Sequence, residues 1–194
     1  MVRSLVLAAA LLAGSGCVMR ATRARDATFH FHPTLDELKA APRAEARPRP
    51  APRPVTARVE VTAIASGYPQ PVGLAYDGGG AFRRVTGVEW GDGELEGALG
   101  GALPAAFAGG DGATVHLRGA IVGLAIYRVG GAVYARALLE VRVAHAGTEL
   151  YAARYAASAR GGSRAELLGA IAGDLADQVR ADDELVAALP GGAS

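Results

Sequence analysis

Two runs of residues, 113–129 (ATVHLRGAIVGLAIYRV) and 132–145 (AVYARALLEVRVAH), are separated only by Gly130-Gly131, and this arrangement restricts the fold more than any other feature. A two-glycine link between long alternating segments suits a primed turn, so the two runs are expected to pair as an antiparallel hairpin. In the second run Val133, Ala135, Ala137, Leu139, Val141 and Val143 share one face, and Tyr134, Arg136, Glu140 and Arg142 share the other. The first face belongs in a core and the second in water. Ala146-Gly147 then turns the chain into a third strand, 149–159, which completes a meander.

The flanking segments supply the partners for that sheet. Residues 58–66 (RVEVTAIAS) alternate Val59, Val61 and Ala63 with Glu60 and Thr62, the pattern of a half-buried strand. Residues 66–80, with two prolines and three consecutive glycines, read as irregular backbone, and 83–90 (RRVTGVEW) as a second strand. Asp92 is placed to cap a helix over 93–102 with Leu95, Leu99 and Ala102 on its apolar face, ended by Pro104. Ser163 and Glu166 have capping-box spacing ahead of Leu167, Leu168, Ile171, Leu175 and Val179, and Asp182-Asp183-Glu184 interrupt that helix or start a short last one. The expected fold is α+β, a mainly antiparallel sheet of about five strands with two helices packed on one face.

Upstream of this domain the composition changes. Residues 41–56 (APRAEARPRPAPRPVT) interleave proline with arginine and alanine, which favours extended polyproline II and removes backbone donors. This segment is expected to be a solvated tether. Residues 18–58 carry a net charge of +5 and residues 59–194 a net charge of −5, so the tether is basic and the domain acidic. The arginines are weighed against a coding bias, since Lys39 is the only lysine. Between residue 30 and the prolines, Thr34 and Glu37 have capping-box spacing and Leu35 and Leu38 lie on one face of a two-turn helix, which must dock on something to persist.

The first seventeen residues, MVRSLVLAAALLAGSGC, combine Arg3, an apolar run from Leu5 to Leu12, three small residues and the chain's single cysteine. The run is shorter than the roughly 20 residues that span a bilayer. The segment resembles a bacterial lipoprotein signal peptide. That resemblance implies cleavage before Cys17, lipidation of Cys17 and a membrane attachment by lipid. Val18, where such proteins carry aspartate for inner-membrane retention, implies the outer membrane with the domain facing the periplasm. The resulting organisation is a signal peptide over 1–16, a lipid-anchored Pro/Arg-rich disordered tether over 17–56, and an α+β periplasmic domain over 57–190. With one thiol, no internal disulfide can form.

In its order of elements, residues 57–189 resemble the periplasmic auxiliary lipoproteins of envelope transport systems, including those beside ABC-type lipid transporters. The resemblance implies a non-enzymatic accessory or binding component with an envelope protein as partner. The alternative is an outer-membrane lipoprotein that reaches through the cell wall to regulate peptidoglycan synthesis, for which tether length is the supporting feature.

Chemical motifs are weak. Gly91-Asp92-Gly93-Glu94-Leu95-Glu96-Gly97 follows a strand and opens a helix, yet its spacing and three acids do not suit a pyrophosphate, so no cofactor is expected. His30 and His32 alternate on opposite sides of an extended segment, while His116 and His145 are solitary, so no metal is expected. There is no Gly-x-Ser-x-Gly nucleophile elbow, no catalytic residue is assigned, and no nucleic-acid partner is expected. Gly119 to Ile126 is apolar on both strand faces and requires a cover for the second, so Val122, Tyr127 and Tyr134 form the expected partner surface, with Tyr151 also at its rim.

Overall fold

The computed structural model describes residues 35–45, 48–66, 72–79, 81–89, 93–129 and 131–191. In chain order the elements are α1 (Leu35–Ala40), β1 (Arg53–Pro54), β2 (Arg58–Ser66), β3 (Val72–Gly79), β4 (Ala81–Glu89), α2 (Glu94–Ala102), a 3-10 turn (Pro104–Ala106), β5 (Phe107–Ala108), β6 (Thr114–Val129), β7 (Ala132–His145), β8 (Thr148–Arg160), α3 (Arg164–Ala181) and α4 (Asp183–Ala188). The fold is α+β. Its central sheet runs β2-β6-β7-β8, with β6, β7 and β8 forming the antiparallel meander. Gly131 takes φ of 80°, and Ala146 and Gly147 take φ of 49° and 82°, the positive values a two-residue turn between twisted strands requires.

The sheet is mixed, which corrects the mainly antiparallel expectation. β2 pairs with β6 in parallel, because the intervening chain passes through the β3–β4 hairpin and α2 before re-entering the sheet from the same end. β3 and β4 pair only with each other as a ladder, and β1 pairs with β5, so the strands fall into three sheets where the sequence suggested one of about five. β3 occupies residues expected to be irregular. Val72, Leu74 and Tyr76 carry an alternation that the surrounding glycines obscured, and the register shift between Tyr76 and Gly78 accommodates the glycine-rich end.

The two expected helices, α2 and α3, pack on each other and on one face of the sheet, and α4 extends the same layer. The Ser163–Glu166 capping box opens α3: Ser163 Oγ accepts from the Glu166 N–H at 3.3 Å, and Glu166 Oε2 accepts from the Ser163 N–H at 2.6 Å. These two Ser163 donors hold the Glu166 carboxyl below its usual range, the backbone N–H first. α3 then buries Leu167, Leu168, Ile171, Leu175 and Val179, the expected stripe. At α2 the residue at the cap position is Gly93, with φ of 88° and no side-chain bond; Asp92 lies outside the described residues.

Two bulges re-phase the strands. In β6 Val115, Leu117 and Ile121 face the core, Val122 has no register partner, and from there the even-numbered Leu124 and Ile126 face the core. The apolar run from Gly119 to Ile126 is therefore partly one core face that changes phase, not two apolar faces. β2 does the same at Thr62, so that Val59, Val61 and then Ile64 pack on the core while Ala63 is exposed, which corrects the strict alternation expected there.

Gly119 is Ile64's register partner, and a Cβ placed there would lie 2.8 Å from Ile64 Cδ1 and 3.3 Å from Leu139 Cδ1. Gly119→Ala should cost about 1–3 kcal/mol by overpacking. Adding Ile64→Val, which removes the atom that clashes, should recover most of that loss in denaturant unfolding. A double variant no better than Gly119→Ala would show that the close approach is not the cause.

Candidate functional site

The outer face of the sheet, opposite the helices, is where the sequence placed a partner surface. Tyr127 and Tyr134 are cross-strand partners there, and with Ala125 and Leu38 they form a cluster separate from the main core. α1 supplies Leu38, which is 1% exposed, and it leaves Tyr127 and Tyr134 at 0% and 5%. The expected two-turn helix thus forms and docks. Fully burying a leucine contributes about 1.5–3 kcal/mol, which offsets the poor intrinsic stability of six helical residues.

This docking corrects two expectations. Tyr134 is not on a wet face, because the chain's own N-terminal segment covers it. Residues 35–45 and 48–56 also do not behave as a solvated tether. Ala41 is buried, the Ala44 N–H donates to Arg160 O at 2.7 Å, and the Arg160 N–H donates to Pro42 O at 2.8 Å. Further along, Arg53 donates through Nη1 to Arg180 O at 3.2 Å and through Nη2 to Asp183 Oδ1 at 2.7 Å. The prolines leave these backbone carbonyls free to accept, and two arginines find partners on the domain, which composition alone could not specify.

The remaining expected residues separate. Val122 sits at the β6 bulge, half-buried. Tyr151 belongs to the opposite face, so it does not rim the Tyr127–Tyr134 surface. Cys17, His30 and His32 lie outside the described residues. His145 Nδ1 lies 2.8 Å from Thr114 O and His116 Nδ1 lies 3.8 Å from Glu60 Oε2. Among the described residues no group of His, Cys, Asp and Glu is arranged to hold a metal ion, and no helix is long and apolar enough to cross a membrane.

Farther along the outer face the polar residues form a ladder. Glu140 on β7 accepts from Arg142 Nε at 2.9 Å and from Arg154 Nε at 3.0 Å, and Arg142 also reaches Glu149 at 3.3 Å. Hydrogen bonds from Arg142 and then Arg154 hold the Glu140 carboxyl below its usual range. The ladder's stabilising contribution is thus present above the ordinary carboxylate range and is lost as pH falls through the lowered value.

Sequence reading missed the most buried polar group. Asp182, 6% exposed, accepts through Oδ2 from Tyr151 Oη at 2.6 Å and Tyr155 Oη at 2.8 Å. Its Oδ1 accepts the Glu184 and Leu185 N–H groups at 3.0 and 3.2 Å, capping α4. Burial first, and then the Asp182 carboxylate, push the Tyr155 phenol far up, so it remains a proton donor to Asp182. The arrangement joins β8 to the junction of α3 and α4. Its signal was present: Tyr151 and Tyr155 lie four apart on a strand and so share a face, and Asp182 precedes an apolar Leu185-Val186 pair as a cap would.

No known family matches the chain, and no curated protein matches it. Among solved structures, the crystal structure of protein XCC0632 from Xanthomonas campestris, of family DUF330, aligns with 72% of this chain and 88% of its own at 13% identity and a TM-score of 0.40. At that level neither fold nor function transfers.

Proposed function

We propose that this chain is a lipid-anchored envelope protein, held in the outer membrane through Cys17 and facing the periplasm, whose α+β domain serves as a non-enzymatic accessory or binding component of an envelope transport or assembly system. The observation that carries the reading is the N-terminal sequence MVRSLVLAAALLAGSGC, with the only cysteine directly behind small residues and an apolar run. The docking of α1 supports it over wall-spanning regulation of peptidoglycan synthesis. With residues 35–45 and 48–56 lying on the domain, the stretch from Cys17 to Leu35 sets the distance to the membrane. At about 3.6 Å per residue this stretch reaches at most roughly 65 Å, and release of the docked segment would be needed to go farther.

Cys17→Ser should release the protein from membranes and abolish incorporation of labelled palmitate, without changing the amount of folded domain. Membrane fractionation of both forms checks this. A serine variant that stays membrane-bound, beside a parent that takes up no label, overturns the anchor.

A further inference from the structure

The outer face carries a second cluster beside the docked α1. Arg136 on β7 stands opposite Ser158 on β8, and Arg160 stands opposite Tyr134, so the two arginines are diagonal neighbours on one face with Ser158 between them. Diagonal pairs of this kind lie within reach of long side chains. Arg136 Nη1 and Arg160 Nε are both buried without a hydrogen-bond partner in the protein. The other outer-face arginines on these two strands differ, since Arg142 and Arg154 are both paired with Glu140. Residues 41–44 run along Arg160 and fix its backbone from both sides. Buried guanidinium donors without acceptors are costly, and two adjacent guanidiniums without a carboxylate repel each other, so this corner is built for an anion.

Ser158 also opens onto a groove of about 350 Å³ between residues 42–45 and 48–49 on one side and α3 on the other, to which Arg43 and Arg49 contribute. The acids of the α3 wall already have partners: Glu166 is bound to Ser163, Asp174 to Gln178, and Asp177 lies 3.9 Å from Arg180.

We propose that Arg136 and Arg160, with Ser158 between them, form a binding site for a phosphate-type oxyanion, free or as the headgroup of a lipid. Two planar guanidiniums and a hydroxyl supply several donors to one tetrahedral group with many acceptor oxygens, the recognition at which arginine exceeds lysine. The site stands independently of whether Cys17 carries lipid.

Titrating the full chain with inorganic phosphate, by calorimetry and by the Arg160 Nε–H resonance, should give saturable binding that moves that resonance. Arg136→Gln and Arg160→Gln should each weaken binding about tenfold or more, and Arg118→Gln, an exposed arginine of β6, should leave it within about twofold. Should a glutamine variant fail to fold, Arg136→Lys and Arg160→Lys carry the test, with weakened binding in support and unchanged binding against. Flotation of the Cys17→Ser chain on phosphatidylglycerol vesicles identifies the source: a loss in both arginine variants assigns a lipid headgroup, and no loss assigns free phosphate. Absence of saturable phosphate binding, or equal losses in all three glutamine variants, overturns the site.

Discussion

Asp182→Ala should be the most damaging single polar substitution in the domain, lowering the unfolding temperature by about 10 °C or more. It leaves two buried phenol donors, Tyr151 and Tyr155, without their acceptor and removes the cap of α4. Each orphaned hydroxyl costs about 1–3 kcal/mol and the lost cap about 1 kcal/mol, and about 2–4 °C accompanies each kcal/mol in a domain of this size. Asp182→Asn keeps an oxygen for the cap and a polar group against the phenols, so it should cost about half as much. Calorimetric scans of the three proteins check the order. An alanine variant melting within about 2 °C of the parent would show that the buried triad contributes little.

Leu38→Asp should detach α1 while leaving the core folded. Leu38, Ala125, Tyr127 and Tyr134 form their own cluster, so a charge placed at position 38 acts on that cluster and not on the packing between α2, α3 and the sheet. The cost of burying the carboxylate is avoided by undocking, at a loss of about 2–3 kcal/mol of leucine burial. Amide exchange should speed up by about tenfold to a hundredfold at Ala44 and Arg160, whose N–H groups tie residues 42–44 to β8, and stay unchanged at Val141 and Val143 in the sheet centre. Trypsin gives a second reading, because Lys39 and Arg43 are each followed by alanine while Arg47, Arg49 and Arg53 precede proline and resist cleavage. Unchanged exchange at Ala44 and Arg160 would mean that Leu38 does not hold the segment down.

How far the sequence reveals this fold depends on how local the determining signal is. The hairpin across Gly130-Gly131, the core face of β7 and the Ser163–Glu166 capping box rest on neighbouring residues, and each is where those residues place it. The bulges at Thr62 and Val122 do not announce themselves. A one-residue insertion in an alternating strand looks like a strand apolar on both sides, and only the register shows which face each residue takes. The parallel pairing of β2 with β6 depends on a crossover whose β3 was hidden among glycines. The outer-face cluster was legible in parts: Tyr127 and Tyr134 were singled out and a docking helix at Leu35–Leu38 was expected, but that one covers the other is a contact across about ninety residues. The triad of Tyr151, Tyr155 and Asp182 escaped for the same reason, since a buried carboxylate is recognised by partners that sequence does not place beside it.

The anchored arrangement makes one measurement decisive, the mass of the N-terminal tryptic peptide of the protein extracted from native membranes. The proposal requires a peptide that begins at Cys17 and ends at Arg20 with the mass of a diacylglycerol, with or without a third acyl chain, added to Cys17. An unmodified peptide running from Ser4 to Arg20 through an intact Gly16-Cys17 bond would contradict it.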